Sequence, residues 1–369
     1  KPSGVWIMAY TTIDNPELYF QCKLWTGDDS NKSFTLDGDE NMQPDFIWSK
    51  VRNYGGQDYF THQLADSVRG TGKTLWSSET DAEQSNYAYG YVSAFNSDGF
   101  SVTAGSSSVD AYNGTGRNYV AWNWLAGGSA SSNSDGSITS SVSANTTAGF
   151  SIVTYTGTGS GATNNQTVGH GLGVTPNVVI FKRRDNTGAW LTYHESLGIN
   201  NYVYLNTTDA SASASGIFSG YTSSVFKFSV NANDQNASGG THVAYCFAEK
   251  QGYSKFGKYT GNGNADGPFI YTGFRPAWVL VKKTSEAREW MIWDNKRDSF
   301  NVSKAVLHPD NNAAEDSSTS YEMIDILSNG FKLRQSDTDT NQSGGTYIFM
   351  AFAESPFVNS AGAVPNNAR

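Results

Sequence analysis

The sequence predicts an all-β protein built from three tandem β-sandwich domains, jelly-roll-like or immunoglobulin-like. Three observations lead there: a turn-forming composition, short runs that alternate bulky and small residues, and three blocks that recur in one order. Of 369 residues, 38 are glycine and 14% are aromatic, while charged residues make up only 16%. That balance favours short strands joined by turns over helices rich in Glu, Lys and Leu.

The recurring blocks fix the organisation, since repeats of this size govern the whole fold. Openings read "YFQCKLWTG" (19–27), "FSIVTYTG" (150–157) and "YSKFGKYTG" (253–261), each an extended run ending in Thr-Gly. A proline strand follows, "PDFIWSK" (44–50), "PNVVIFK" (176–182) and "PAWVLVK" (276–282), with lysine six residues after the proline. The closing runs are "YVAWNW" (119–124), "HVAYCF" (242–247) and "YIFMAF" (347–352). On one face they carry Val120, Trp122, Trp124, then Val243, Tyr245, Phe247, then Ile348, Met350, Phe352. Period-two alternation of this kind describes strands lying on a sandwich core. Ahead of each closing run, "NSDGFSV" (96–102), "TSSVFKF" (222–228) and "LSNGFKL" (327–333) supply a turn and another strand.

The expected boundaries are an N-terminal segment 1–18, a first unit 19–127, a polar linker 128–148 with room for one edge strand near Ile138 and Val142, a second unit 149–249, a third unit 250–357 and a C-terminal arm 358–369. Each unit is of domain size and is expected to own a core.

Charge and hydropathy restrict the partners. A formal charge of −9 predicts no nucleic-acid partner, because counterion release needs a basic stripe. Anionic membrane is disfavoured for the same reason. No apolar run approaches the ~20 residues of a membrane span, so no membrane insertion is expected. No charged-then-apolar leader opens the chain, and its start at Lys1 without methionine reads as processing or truncation.

Chemistry-bearing motifs are sparse. "SVRGTGKTLW" (67–76) ends like a phosphate-binding loop at Gly72, Lys73 and Thr74, but Ser67 stands where the first glycine belongs, and strand-like sequence follows instead of a helix. Cys22 and Cys246 align with core positions of the other copies and read as buried thiols. The five histidines lack metalloprotease spacing, and His194 and Glu195 point to opposite faces of a strand. His242 aligns with Tyr119 and Tyr347 as a sheet residue. The acidic turns at Asp28–Asp29, Asp37–Glu40 and Asp337–Asp339 lack calcium-loop spacing. No catalytic residue, cofactor or metal ligand is therefore assigned. The clearest binding signal is aromatic: Trp76, with Tyr87, Tyr89 and Tyr91 at alternating positions, suits a glycan surface or an interface, with core packing as the alternative.

The strings "FQCKLWTG", "MQPDFIWSK", "DSVRGTGK", "YVAWNWLAGG", "VGHGLGVTPNVVIFKRR", "GYSKFGKYTGNGNADGPFIYTGFRPAWVLVK", "LSNGFKL" and "SGGTYIFMAFAESPF" cover most of residues 19–357. In them the chain resembles a repeat domain of virion proteins from tailed bacteriophages of marine bacteria and cyanobacteria. The resemblance implies a non-enzymatic structural protein on the particle surface, made in a bacterial host's cytoplasm, and more a tail-fibre or host-attachment component than a capsid decoration. It implies other virion proteins and a host surface glycan or receptor as partners, and a homo-oligomer, with a trimer favoured. A polysaccharide-degrading tailspike and a bacterial adhesin or filament subunit are the rival readings.

Overall fold

The computed structural model describes residues 10–159, 165–228, 233–318 and 322–363. Antiparallel sheets dominate, as the composition predicts, and among the described residues helix is limited to short turns such as Pro16–Leu18 and Asn233–Asn236.

Three large sheets share one strand order, in which the opening strand pairs with the closing strand, the closing strand with the proline strand, and the proline strand with the one after it. In the first sheet these are Phe20–Thr26, Asn118–Trp124, Phe46–Val51 and Gln63–Asp66. The second has Phe150–Thr156, Thr241–Phe247, Val178–Arg183 and Leu191–His194. The third has Ser254–Thr260, Thr346–Pro356, Phe274–Lys283 and Trp290–Asp294. The Thr-Gly endings now have a cause. A Cβ on Gly27, Gly157 or Gly261 would lie 2.2, 2.4 or 2.3 Å from a backbone oxygen of the loop leading into the closing strand. Only glycine allows that approach.

Against each large sheet lies a small three-stranded one. These are Lys32–Phe34, Gly99–Thr103 and Tyr91–Asn96 in the first unit, Gln166–Gly169, Val225–Phe228 and Gly220–Tyr221 in the second, and Phe269–Tyr271, Gly330–Leu333 and Ile324–Leu327 in the third.

Residues 128–148 contain the edge strand expected near Val142 but do not form a linker. Ser131–Asn133 and Ser140–Asn145 form two strands that extend the second sheet beyond its opening strand. Ile138 and Val142 are buried against the small sheet of that unit. The solvated hydroxyl face of this ribbon disguises it as linker in composition. The C-terminal arm returns to the N-terminal segment, where the backbone N–H and hydroxyl of Ser360 donate to the Asp14 carboxylate.

The expectation of one core per unit also changes. Small residues of the closing strands, such as Ala121 and Cys246, face each unit's own small sheet. The bulky face turns the other way, and Trp122, Trp124, Tyr245, Phe247, Met350 and Phe352 meet in one core shared by all three units. Phe46 stacks on Tyr245 at 4.4 Å, Trp124 meets Trp278 edge-on at 5.6 Å, and Phe247 meets Phe352 at 5.9 Å. Each aromatic so buried contributes roughly 1.5–3 kcal/mol, and the gain depends on all three sheets being present.

Candidate functional site

The joints between units are built from equivalent positions in the three sheets. Asp66, His194 and Asp294 stand opposite Phe46, Val178 and Trp278, two residues after each proline. Each reaches the closing strand of the next unit. Tyr245 Oη donates to Asp66 at 2.8 Å, His194 Nε2 lies 3.2 Å from the Phe349 carbonyl, and Trp122 Nε1 donates to Asp294 at 2.9 Å. The contacts run from first unit to second, second to third and third to first, so the ring closes on itself in the manner of a cyclic assembly.

Two joints carry matching ion networks. Arg69 bonds Asp66, the Leu64 carbonyl and Glu83, and Glu83 takes a bidentate pair from Arg184 of the second unit. Arg297 likewise bonds Asp294, the Ile292 carbonyl and Glu315, and Glu315 takes a bidentate pair from Arg52 of the first unit. Burial pushes the Asp294 carboxyl up, yet the Arg297 guanidinium and its hydrogen bonds hold it below the ordinary carboxylate range.

The recurrent lysines lie at the far end of the proline strand, and Lys182 and Lys282 serve the same joints. Lys50, Lys182 and Lys282 are all fully buried. Lys182 donates to the Thr80 carbonyl of the first unit and to Gly188, and Lys282 to the Thr208 carbonyl of the second unit, Lys283 and Arg288. Lys50 donates to the Val51 carbonyl. Burial lowers them to about 7 for Lys50 and about 8 for Lys182 and Lys282.

The aromatic residues singled out in sequence are only partly brought together. Trp76 is buried, donating from Nε1 to Gln63 at 2.8 Å and accepting Trp190 Nε1 at its carbonyl at 2.7 Å. Tyr87 and Tyr89 lie in a turn, where Tyr87 meets Trp76 edge-on at 5.0 Å and Tyr89 stacks on Tyr59 at 4.7 Å. Tyr91 begins the strand Tyr91–Asn96. The three tyrosines therefore do not form one strand-borne stripe, because the alternation is broken where Gly90, at φ +112°, turns the chain. The "RGTGK" loop is a turn between two strands, with Gly70 and Gly72 both at positive φ.

The histidines are held by structural bonds. Trp48 Nε1 donates to His62 Nδ1, His170 Nε2 faces the Thr222 carbonyl, and His242 Nε2 faces that of Asn233. Burial pushes His194 and His242 down to about 4. His308 stands between carboxylates, with Nδ1 3.7 Å from Glu289 and Nε2 3.8 Å from Glu322. Among the described residues, Glu289, His308 and Glu322 are a group whose ligand-type atoms lie within 4.8 Å of one another. Sequence spacing did not reveal it, because the three come from separate loops of the third unit. Nδ1 also lies 2.9 Å from the Trp290 carbonyl, so that nitrogen is engaged as a donor.

Together these features define an all-β protein of three sandwich units locked in a ring around a common core. The chain belongs to the family described as a domain of unknown function (DUF7483), which matches residues 15–356. No curated protein and no solved structure matches it.

Proposed function

We propose that this chain is a non-enzymatic structural protein of a bacteriophage particle, displayed on its surface and serving host attachment. The observation that carries the reading is the closed ring of units. Buried acids, arginines, two lysines and His194 are spent on joints between units, which ties the units together without a disulfide. A surface protein must stay folded outside a cell, and joints of this kind serve that need. The resemblance of the repeated strings to virion repeat domains supports the same reading.

Electron cryomicroscopy of intact particles tests it. Density for the chain on the tail is the expected result. Density spread over the capsid would replace attachment with decoration, and release of reducing ends from host glycan by the purified protein would replace it with a tailspike enzyme.

A further inference from the structure

The three joints are not equal. At the joint from second to third unit, every charged member of the ion network is exchanged. His194 takes the aspartate position, and Leu197, three residues on, takes that of Arg69 and Arg297. Thr284, eight residues after its proline, takes the position of Arg52 and Arg184. Ser211 takes that of Glu83 and Glu315, since its backbone N–H donates to the Thr284 carbonyl at 3.0 Å, just as Glu83 donates to Arg184 at 2.8 Å and Glu315 to Arg52 at 2.6 Å.

Long charged side chains have thus given way to short ones, and a cleft of about 250 Å³ lies there, lined by Leu197, Ser211 and Thr284 among others. Its remaining wall offers the Ser196 and Thr346 hydroxyls, the Asn201 amide and the exposed Lys258 ammonium. The Ser211 and Thr284 hydroxyls donate to the Thr284 and Thr346 carbonyls and the Asn201 amide N–H to that of Leu197, so these hydroxyls and the amide oxygen keep lone pairs to accept from a sugar's hydroxyls, beside an apolar patch from Leu197. The volume is below the roughly 300–1,000 Å³ of sites for drug-sized ligands, which limits the occupant to one small residue of a longer chain. Lys258 places a positive charge at the rim, in a chain that is otherwise net negative.

We infer that this cleft binds a single carboxylate-bearing sugar unit, a uronic acid residue of a host surface glycan, with hydroxyls from both units around the ring and Lys258 on the carboxylate. This rests on the attachment reading and names the ligand class for it.

Saturation-transfer difference NMR with methyl glucuronide, and with methyl glucoside as the neutral comparison, tests it on the full chain. Saturable binding is expected, with the glucuronide preferred by about tenfold, the scale of one charge-assisted hydrogen bond. Lys258→Gln, an exposed change, is expected to abolish that preference. The double variant Ser211→Glu/Thr284→Arg rebuilds part of the network seen at the other joints and is expected to close the cleft and remove binding. Absence of saturable binding, equal affinity for the two sugars, or a preference unchanged in Lys258→Gln overturns the inference. Binding of the purified protein to host cells that glucuronide fails to displace overturns this site while leaving attachment standing. Absence of host-cell binding, with glucuronide still bound, overturns attachment alone.

Discussion

The indole N–H of Trp122 donates to the buried carboxylate of Asp294, 172 positions away in sequence, at 2.9 Å. The same carboxylate holds Arg297, whose side chain is wholly inaccessible. One acid therefore neutralises a buried cation and ties the third unit to the first. Asp294→Ala leaves the indole unpaired and the guanidinium with only Glu315 and the Ile292 carbonyl, and is expected to destabilise the fold by about 3 kcal/mol, the lower end for a broken buried pair. Urea unfolding followed by tryptophan fluorescence measures it.

Arg52 and Glu315 form a bidentate pair across that joint, with side chains 20% and 13% exposed. Contacting groups of one network couple by about 0.5–3 kcal/mol. A double-mutant cycle with Arg52→Ala and Glu315→Gln is expected to fall in that range, and additivity would show that the pair contributes only packing.

Trp190 spans another joint, its Nε1 donating to the Trp76 carbonyl. Trp190→Phe keeps an aromatic ring in the core but removes the donor and leaves the Trp76 carbonyl with only the 3.3 Å bond from the Glu79 N–H. The expected cost is about 1–3 kcal/mol, read as a lower denaturation midpoint.

Glu322 sets a pH dependence. Burial first, then the charges of Asp339, Asp337, Glu289 and Asp316, push its carboxyl from 4.5 to about 8. The folded state holds this proton more tightly than the unfolded chain does. The resulting stability is fully present below pH 4.5 and is lost as pH rises through about 8. Glu322→Gln, which mimics the protonated form, is expected to leave the melting temperature unchanged below pH 4.5 and to raise it above that of the unmodified protein by a margin that grows until about pH 8. Melting curves across the range check the sign.

Cys22 and Cys246 are both buried, and burial raises both thiols. Neither should react with a thiol reagent in the native protein, and both should react once it is unfolded. Rapid labelling of either in the native state would show that its sheet opens.

The sequence by itself determined the strand content, the order of opening, proline and closing strands, and the turns between them, because each is written locally in period-two alternation, Thr-Gly endings and prolines. It also marked Lys50, Lys182 and Lys282 as recurrent, although their burial was not legible. Tertiary structure alone decided which face of each large sheet meets the other units, since both faces of a closing strand are apolar and alternation cannot say which neighbour each will find. It also decided the joints. Glu83 with Arg184, Glu315 with Arg52, and Ser211 with Thr284 are equivalent in space, but Glu83 and Ser211 stand 17 residues after Asp66 and His194 while Glu315 stands 21 after Asp294, and no shared string marks the three. The strand Ser140–Asn145 was legible through Val142, whereas Ser131–Asn133 has no apolar residue to mark it, and the cleft at the second joint was invisible because a gap left by absent side chains has no sequence signal until the surrounding chain is folded.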